Sequence, residues 1–227
     1  MTDCSPGLND VNYEKSILRV NQLSGCENKS VLSTDGNLHC LKKTSTTGLQ
    51  KASYENFERV LDNGLKRLSS NTDEESLNIY LTDHAGIEGS IDKPDLKDNV
   101  VTTYDPEEGR SISYMQIGKG LSKMIQEGKI PAGKTIKFNM DHCFSGTGLE
   151  KIVNAIPEDN TQAPSICGVS AAGAYELSSS TLTLADVSFD FSERYNRQPS
   201  TFELYLSATN DPCFHSTPQL SSNIYVK

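Results

Sequence analysis

From residue 53 onward, short apolar runs alternate with stretches whose apolar residues recur at helical spacing, and this alternation restricts the chain to few folds. Ser53 is placed to cap a helix carrying Phe57, Val60, Leu61, Leu65 and Leu68 on one face, with Asn63-Gly64 as a bend or early stop. Leu77–Thr82, Thr135–Met140 and Ser165–Ser170 are apolar runs of strand length bounded by turn residues. Between them lie helical patterns over about 112–127 (Tyr114, Ile117, Leu121, Met124, Ile125) and around Leu149, Ile152, Val153 and Ile156. Leu184, Val187 and Phe191 predict a further helix, and the Ser200/Glu203 capping box predicts a last one. Residues 83 to about 111 are expected to form one long loop, and Asn223–Val226 an edge strand. Strands alternating with helices give an α/β fold with a mainly parallel sheet and right-handed crossovers.

The 227 residues are read as a single domain, with an irregular segment over 1–52 and a recognisable core over 53–210. In the first part only Ile17–Val20 has a strand-like pattern, and 44–53 has the composition of a loop. Net charge is −9 with no Lys/Arg cluster, which argues against nucleic acid as a partner. No apolar run approaches the roughly 20 residues that a membrane span needs. The six cysteines contain no Cys-x-x-Cys pair, so no structural zinc site is expected. Cys26 and Cys40 flank a turn-rich segment and are the candidates for a local disulfide, against the alternative of ordinary thiols. The polar opening Met1-Thr2-Asp3 predicts no secretory leader and a cytoplasmic chain as written, secreted or periplasmic if a leader was removed. Oligomeric state has no signal in the sequence.

In sheets of this kind functional groups gather beyond the carboxyl ends of the strands. Three junctions qualify: Asp83-His84-Ala85-Gly86, Asp141-His142-Cys143-Phe144-Ser145-Gly146 and Ser170-Ala171-Ala172-Gly173. His84 and Cys143 follow successive strands, a spacing that fits one crossover between neighbours. So placed, a thiol and an imidazole form a nucleophile and its acid/base partner. The thiolate is the reactive form, and an imidazolium or a helix N-terminus favours it. His142 is the weaker partner, because side chains of adjacent strand residues point to opposite faces. Cys167, in mid-strand, is expected to be buried and inert.

These residues carry a resemblance. Tyr80–Gly86 is similar to the His block of the legumain-type and caspase-like cysteine peptidases, and Asp141–Gly146 to their Cys block. Ser170–Ser178 resembles the strand and loop that carry a Glu/Ser wall of their substrate cleft, and Tyr54–Leu61 the helix before the His strand in the legumain group. The resemblance implies a caspase-like three-layer αβα sandwich and a cysteine endopeptidase. Cys143 is the implied nucleophile and His84 the acid/base, with backbone N–H groups of Ala85 or Gly86 and of Cys143 as the oxyanion hole. Ser170 and Ser178 are the implied substrate contacts. Two departures stand out: Ala85 replaces the usual Gly after the His, and the Gln-Ala-Cys-x-Gly of true caspases is absent.

Asp141 lies two residues before Cys143 on the same strand, so both side chains share a face and a carboxylate sits beside the nucleophile. Relatives with Asp here accept Arg or Lys at P1, whereas the legumain group has Glu and prefers Asn; basic P1 is the expectation, Asn the second choice. The alternative is that Asp141 bonds neighbouring backbone N–H groups. The chemistry requires no cofactor or metal. Calcium activation, known among relatives, has only Asp105, Glu107 and Glu108 to point to. The expected partner is a protein or peptide substrate. A catalytically silent binding domain and an Asn-specific peptidase or transamidase are the alternatives.

Overall fold

The computed structural model describes residues 19–20, 22–23, 31–33, 49–51, 54–71, 76–82, 85–87, 100–105, 110–130, 132–156, 164–178 and 182–222. The strands are β1 (Val31–Ser33), β2 (Leu49–Lys51), β3 (Ser76–Thr82), β4 (Ala85–Ile87), β5 (Val100–Asp105), β6 (Arg110–Ser113), β7 (Thr135–Asp141), β8 (Ser165–Ser170) and β9 (Gln219–Ser222). The helices are α1 (Tyr54–Ser70), α2 (Tyr114–Gln126), α3 (Ser145–Asn154), α4 (Leu184–Tyr195) and α5 (Thr201–Asn210). The main sheet has the order β3-β7-β8-β9, its first three strands parallel and β9 antiparallel. It is a mainly parallel open sheet flanked by helices, as the alternation of patterns predicts.

Side-chain alternation divides the interior in two. Ile136, Phe138 and Met140 of β7 pack with Leu65 and Leu68 of α1, Tyr114, Ile117 and Leu121 of α2, and Leu149 and Ile152 of α3. The crossovers through α2 and α3 therefore lie on one face, as right-handed connections in one direction along a sheet require. On the other face Val169 and Ala171 pack with Leu184 and Val187 of α4 and Leu204 and Ala208 of α5. Tyr80 of β3 donates from its hydroxyl to Ser188 of α4 at 3.2 Å, which fixes α4 on that side.

Local chemistry explains most element ends. Thr183 and Asp186 form a capping box at the start of α4, and Ser200 and Glu203 one at α5. Gly64 does not stop α1: a Cβ there would lie 3.0 Å from Leu77 Cδ1, so glycine allows the helix to approach β3 closely.

Several expectations are corrected. Residues 83–111 are not one loop, because β4, β5 and β6 form a second, antiparallel sheet. Residues 49–51, expected in a loop, pair in parallel with β1. Arg19 and Val20, expected to be strand-like, are helical. Among the described residues the last strand is β9, and the edge strand expected over 223–226 lies outside them. Among the described residues no helix is long and apolar enough to cross a membrane. Cys26 and Cys40 lie outside the described residues; Cys213 is disulfide-bonded, while Cys143 and Cys167 are free.

Candidate active site at the end of the central strand

The register of β3 with β7 sets Thr82 opposite Asp141, the last residue of each strand. The two strands thus end at one edge, and in sequence His84 lies two residues past β3 as Cys143 lies two past β7. His84 lies outside the described residues. Ala85 and Gly86 belong to β4, where they pair with Thr102 and Val101.

Cys143 is a partly exposed free thiol one residue before Phe144, the N-cap of α3. Phe144 has φ 58° and ψ 19°, a left-handed conformation that side chains other than glycine seldom adopt. The first turn of α3 is fastened to the loop after β8: Gly146 N–H donates to Ala172 O (2.9 Å), Ser145 Oγ accepts from Ala172 N–H (3.0 Å), and Thr147 Oγ1 donates to Ala174 O (2.9 Å). Glu176 holds that loop in turn. Its carbonyl accepts from Phe144 N–H, and its carboxylate accepts from the N–H groups of Gly173 and Thr217.

Asp141 and His142 turn to opposite faces. Asp141 is 7% exposed and lies under the start of α4, facing the N–H groups of Leu184 and Ala185 and the Thr183 hydroxyl. Its Oδ2 has no hydrogen-bond partner among the described residues. Burial, and next the nearby Asp186 carboxylate, push its pKa up to about 7 despite those donors. Asp186 itself pairs with Arg19 at 3.6 Å. His142, 2% exposed, stacks on Tyr114 in the opposite core and bonds the Tyr114 hydroxyl through Nε2 and the Cys143 carbonyl through Nδ1. Burial lowers its pKa to about 4, so the ring is neutral near pH 7.

The expectation that Asp141 and Cys143 share a face needs a strand that continues to residue 143. The strand ends at Asp141, and Cys143 packs against the core under α1, α2 and α3. Ser170, expected in a substrate wall, is fully buried, and its hydroxyl donates to Ala172 O at 3.1 Å inside the loop. Ser178 is half-buried at the far end of the same loop. Cys167 is mid-strand as expected but only partly buried, with Sγ 3.3 Å from Thr201 Oγ1. Sequence reasoning missed Tyr114 and the Thr183/Asp186 pair, and placed Glu176 in a cleft wall rather than in the bonds that hold the loop. Only the Thr183/Asp186 pair had a local signal, the Thr-x-x-Asp spacing before an apolar run.

Among the described residues no group of three or more His, Cys, Asp or Glu side chains is placed to hold a metal ion; Asp105 ends β5, and Glu107 and Glu108 lie outside them. Compared with family models, with curated proteins and with solved structures, the chain matches none.

Proposed function

We propose that the chain is a cysteine endopeptidase of the caspase/legumain type, with Cys143 as nucleophile and His84 as its acid/base. One observation carries the reading. A partly exposed thiol stands just beyond the carboxyl end of the central strand, beside the end of the neighbouring parallel strand that leads in sequence to His84. His84 takes the Cys143 thiol proton, the sulfur adds to the scissile carbonyl, and the imidazolium returns that proton to the departing amine as the C–N bond breaks. His84 then takes a proton from water, whose oxygen displaces the thiolate and releases the acid. The Cys143 N–H and an N–H of Ala85 or Gly86 receive the oxyanion, each donor contributing roughly 3–4 kcal/mol.

The likeness of Asp141–Gly146 to the Cys block supports a basic P1 residue, although Asp141 itself is buried under α4 on the face away from the core that Cys143 packs against. The pKa near 7 supports a second reading. Below that pH the neutral carboxyl both donates and accepts hydrogen bonds, which matches the carboxamide of Asn. Preference for Asn in mild acid and for Arg or Lys in mild base follows from one residue. The test is labelling with a peptidyl acyloxymethyl ketone ending in Arg. We expect a single adduct at Cys143 that is absent in Cys143→Ala and weak in His84→Ala. No adduct on the folded wild-type protein, or equal labelling of Cys167, overturns the reading.

A further inference from the structure

We propose that His142, gripped by Tyr114, is a positioning residue that clamps the Cys143–Phe144 peptide and thereby aims the Cys143 thiol. This rests on the reading of Cys143 as the nucleophile. Both polar groups of that peptide are held. Its carbonyl accepts from His142 Nδ1 at 2.8 Å, and its N–H donates to Glu176 O at 2.8 Å. A peptide plane pinned at both ends cannot rotate, and its plane sets ψ of Cys143 and φ of Phe144. The left-handed Phe144 is the conformation most in need of such restraint.

The tautomer follows from the partners. A carbonyl only accepts, so Nδ1 carries the proton; Nε2 is then bare and accepts from the Tyr114 hydroxyl. Without that hydroxyl the proton is free to move to Nε2, and the clamp loses its donor. Tyr114 is itself fixed. It is fully buried, its ring lies 10° from parallel to His142 at 5.4 Å, and a Cβ on Gly148 would come within 2.5 Å of Tyr114 Cδ2. Glycine at 148 is thus what admits the tyrosine beside α3. Burial keeps the imidazole neutral, which preserves its single proton for the carbonyl. Tyr114 also opens α2 directly after β6, in the small sheet that β4 begins at Ala85, next to His84 in sequence. The relay therefore ties the nucleophile's turn to the start of α2.

The experiment is the rate of iodoacetamide alkylation at Cys143, measured by peptide mapping, with Cys167 as internal reference. It is run in wild type, Tyr114→Phe, His142→Asn and His142→Leu, beside peptide hydrolysis. Tyr114→Phe deletes one oxygen and preserves ring volume, so it reports even if His142→Leu does not fold. We expect the Cys143/Cys167 rate ratio to fall at least threefold in Tyr114→Phe and His142→Leu. The asparagine amide, which can still donate to the Cys143 carbonyl, should rescue part of the loss, and kcat should fall with KM unchanged. A smaller fall in a folded Tyr114→Phe overturns the clamp and leaves the peptidase reading standing. A rate ratio that responds as expected in a protein that cleaves no peptide sustains the clamp and overturns the peptidase.

Discussion

Asp141 and His142 are neighbours in the chain, both buried and both biased toward the neutral form, yet they are satisfied in different ways. On the α1–α3 side, both His142 nitrogens have partners and the ring stacks on Tyr114. On the α4–α5 side, Asp141 keeps an oxygen with no partner among the described residues, close to a second carboxylate. A buried group with every bond made is a fastening, and one left short is an exception among buried polar groups. The carboxyl end of β7 thus separates a side on which the buried ring is fully bonded from a side on which one buried carboxyl oxygen has no partner among the described residues.

The largest effect should come from breaking the fastening. His142→Ala opens a cavity and removes the imidazole that bonds the Tyr114 hydroxyl and the Cys143 carbonyl, at a cost of roughly 3 kcal/mol. Asp141→Asn removes a buried acid and should be neutral or stabilising above pH 7. Urea unfolding of both at pH 8 checks the contrast, and equal losses would erase it.

Acid separates the two residues further. His142 has its folded pKa lowered from 6.5 to about 4, so its contribution is present above 6.5 and lost as pH falls toward 4. Asp141 has its folded pKa raised from 3.8 to about 7, so the fold favours its protonated form and loses stability as pH rises through that window. The two trends offset in the wild type. Asp141→Asn should expose the histidine trend alone, a loss of roughly 3 kcal/mol between pH 7 and pH 4. A wild type that loses as much over the same range contradicts the offset.

The next effect is on specificity. Asp141→Asn should lower kcat/KM for an Arg P1 peptide by about 10- to 100-fold at pH 8, the value of a charge-assisted contact, and leave an Asn peptide within a few-fold. An unchanged Arg/Asn ratio takes Asp141 out of the pocket. The smallest effect is Thr183→Ala, which removes the α4 cap beside Asp141. It should cost about 1 kcal/mol by urea midpoint without changing the alkylation rate of Cys143.

What the sequence made legible follows the range of the forces involved. Burial periodicity is local, so β3, β7, β8 and helices α1 to α4 emerge from apolar spacing, and α5 from the four-residue pattern of its Ser200 cap. Strands β4 and β6 escaped because they are short, and β5 because its Val-Val-Thr-Thr-Tyr run sits among turn and acidic residues; all three are held by pairing with each other. At the site, the strand-end positions of Cys143 and Asp141 are legible because chain order and crossover handedness fix them. The partnership of Tyr114 with His142, and of Glu176 with Phe144 and Thr217, is a product of packing across separate elements. Ser170 was misjudged because a strand-end serine has the same local sequence whether it faces a cleft or its own loop.

Turnover tests Cys143 as the nucleophile most directly. Fluorogenic peptides that differ only at P1 should be hydrolysed by the wild-type protein at pH 8, fastest after Arg or Lys. Hydrolysis should disappear in Cys143→Ala with the fold intact and fall at least 100-fold in His84→Ala. Absence of hydrolysis across the panel, hydrolysis that survives Cys143→Ala, or fastest cleavage after Asp would contradict the proposed function.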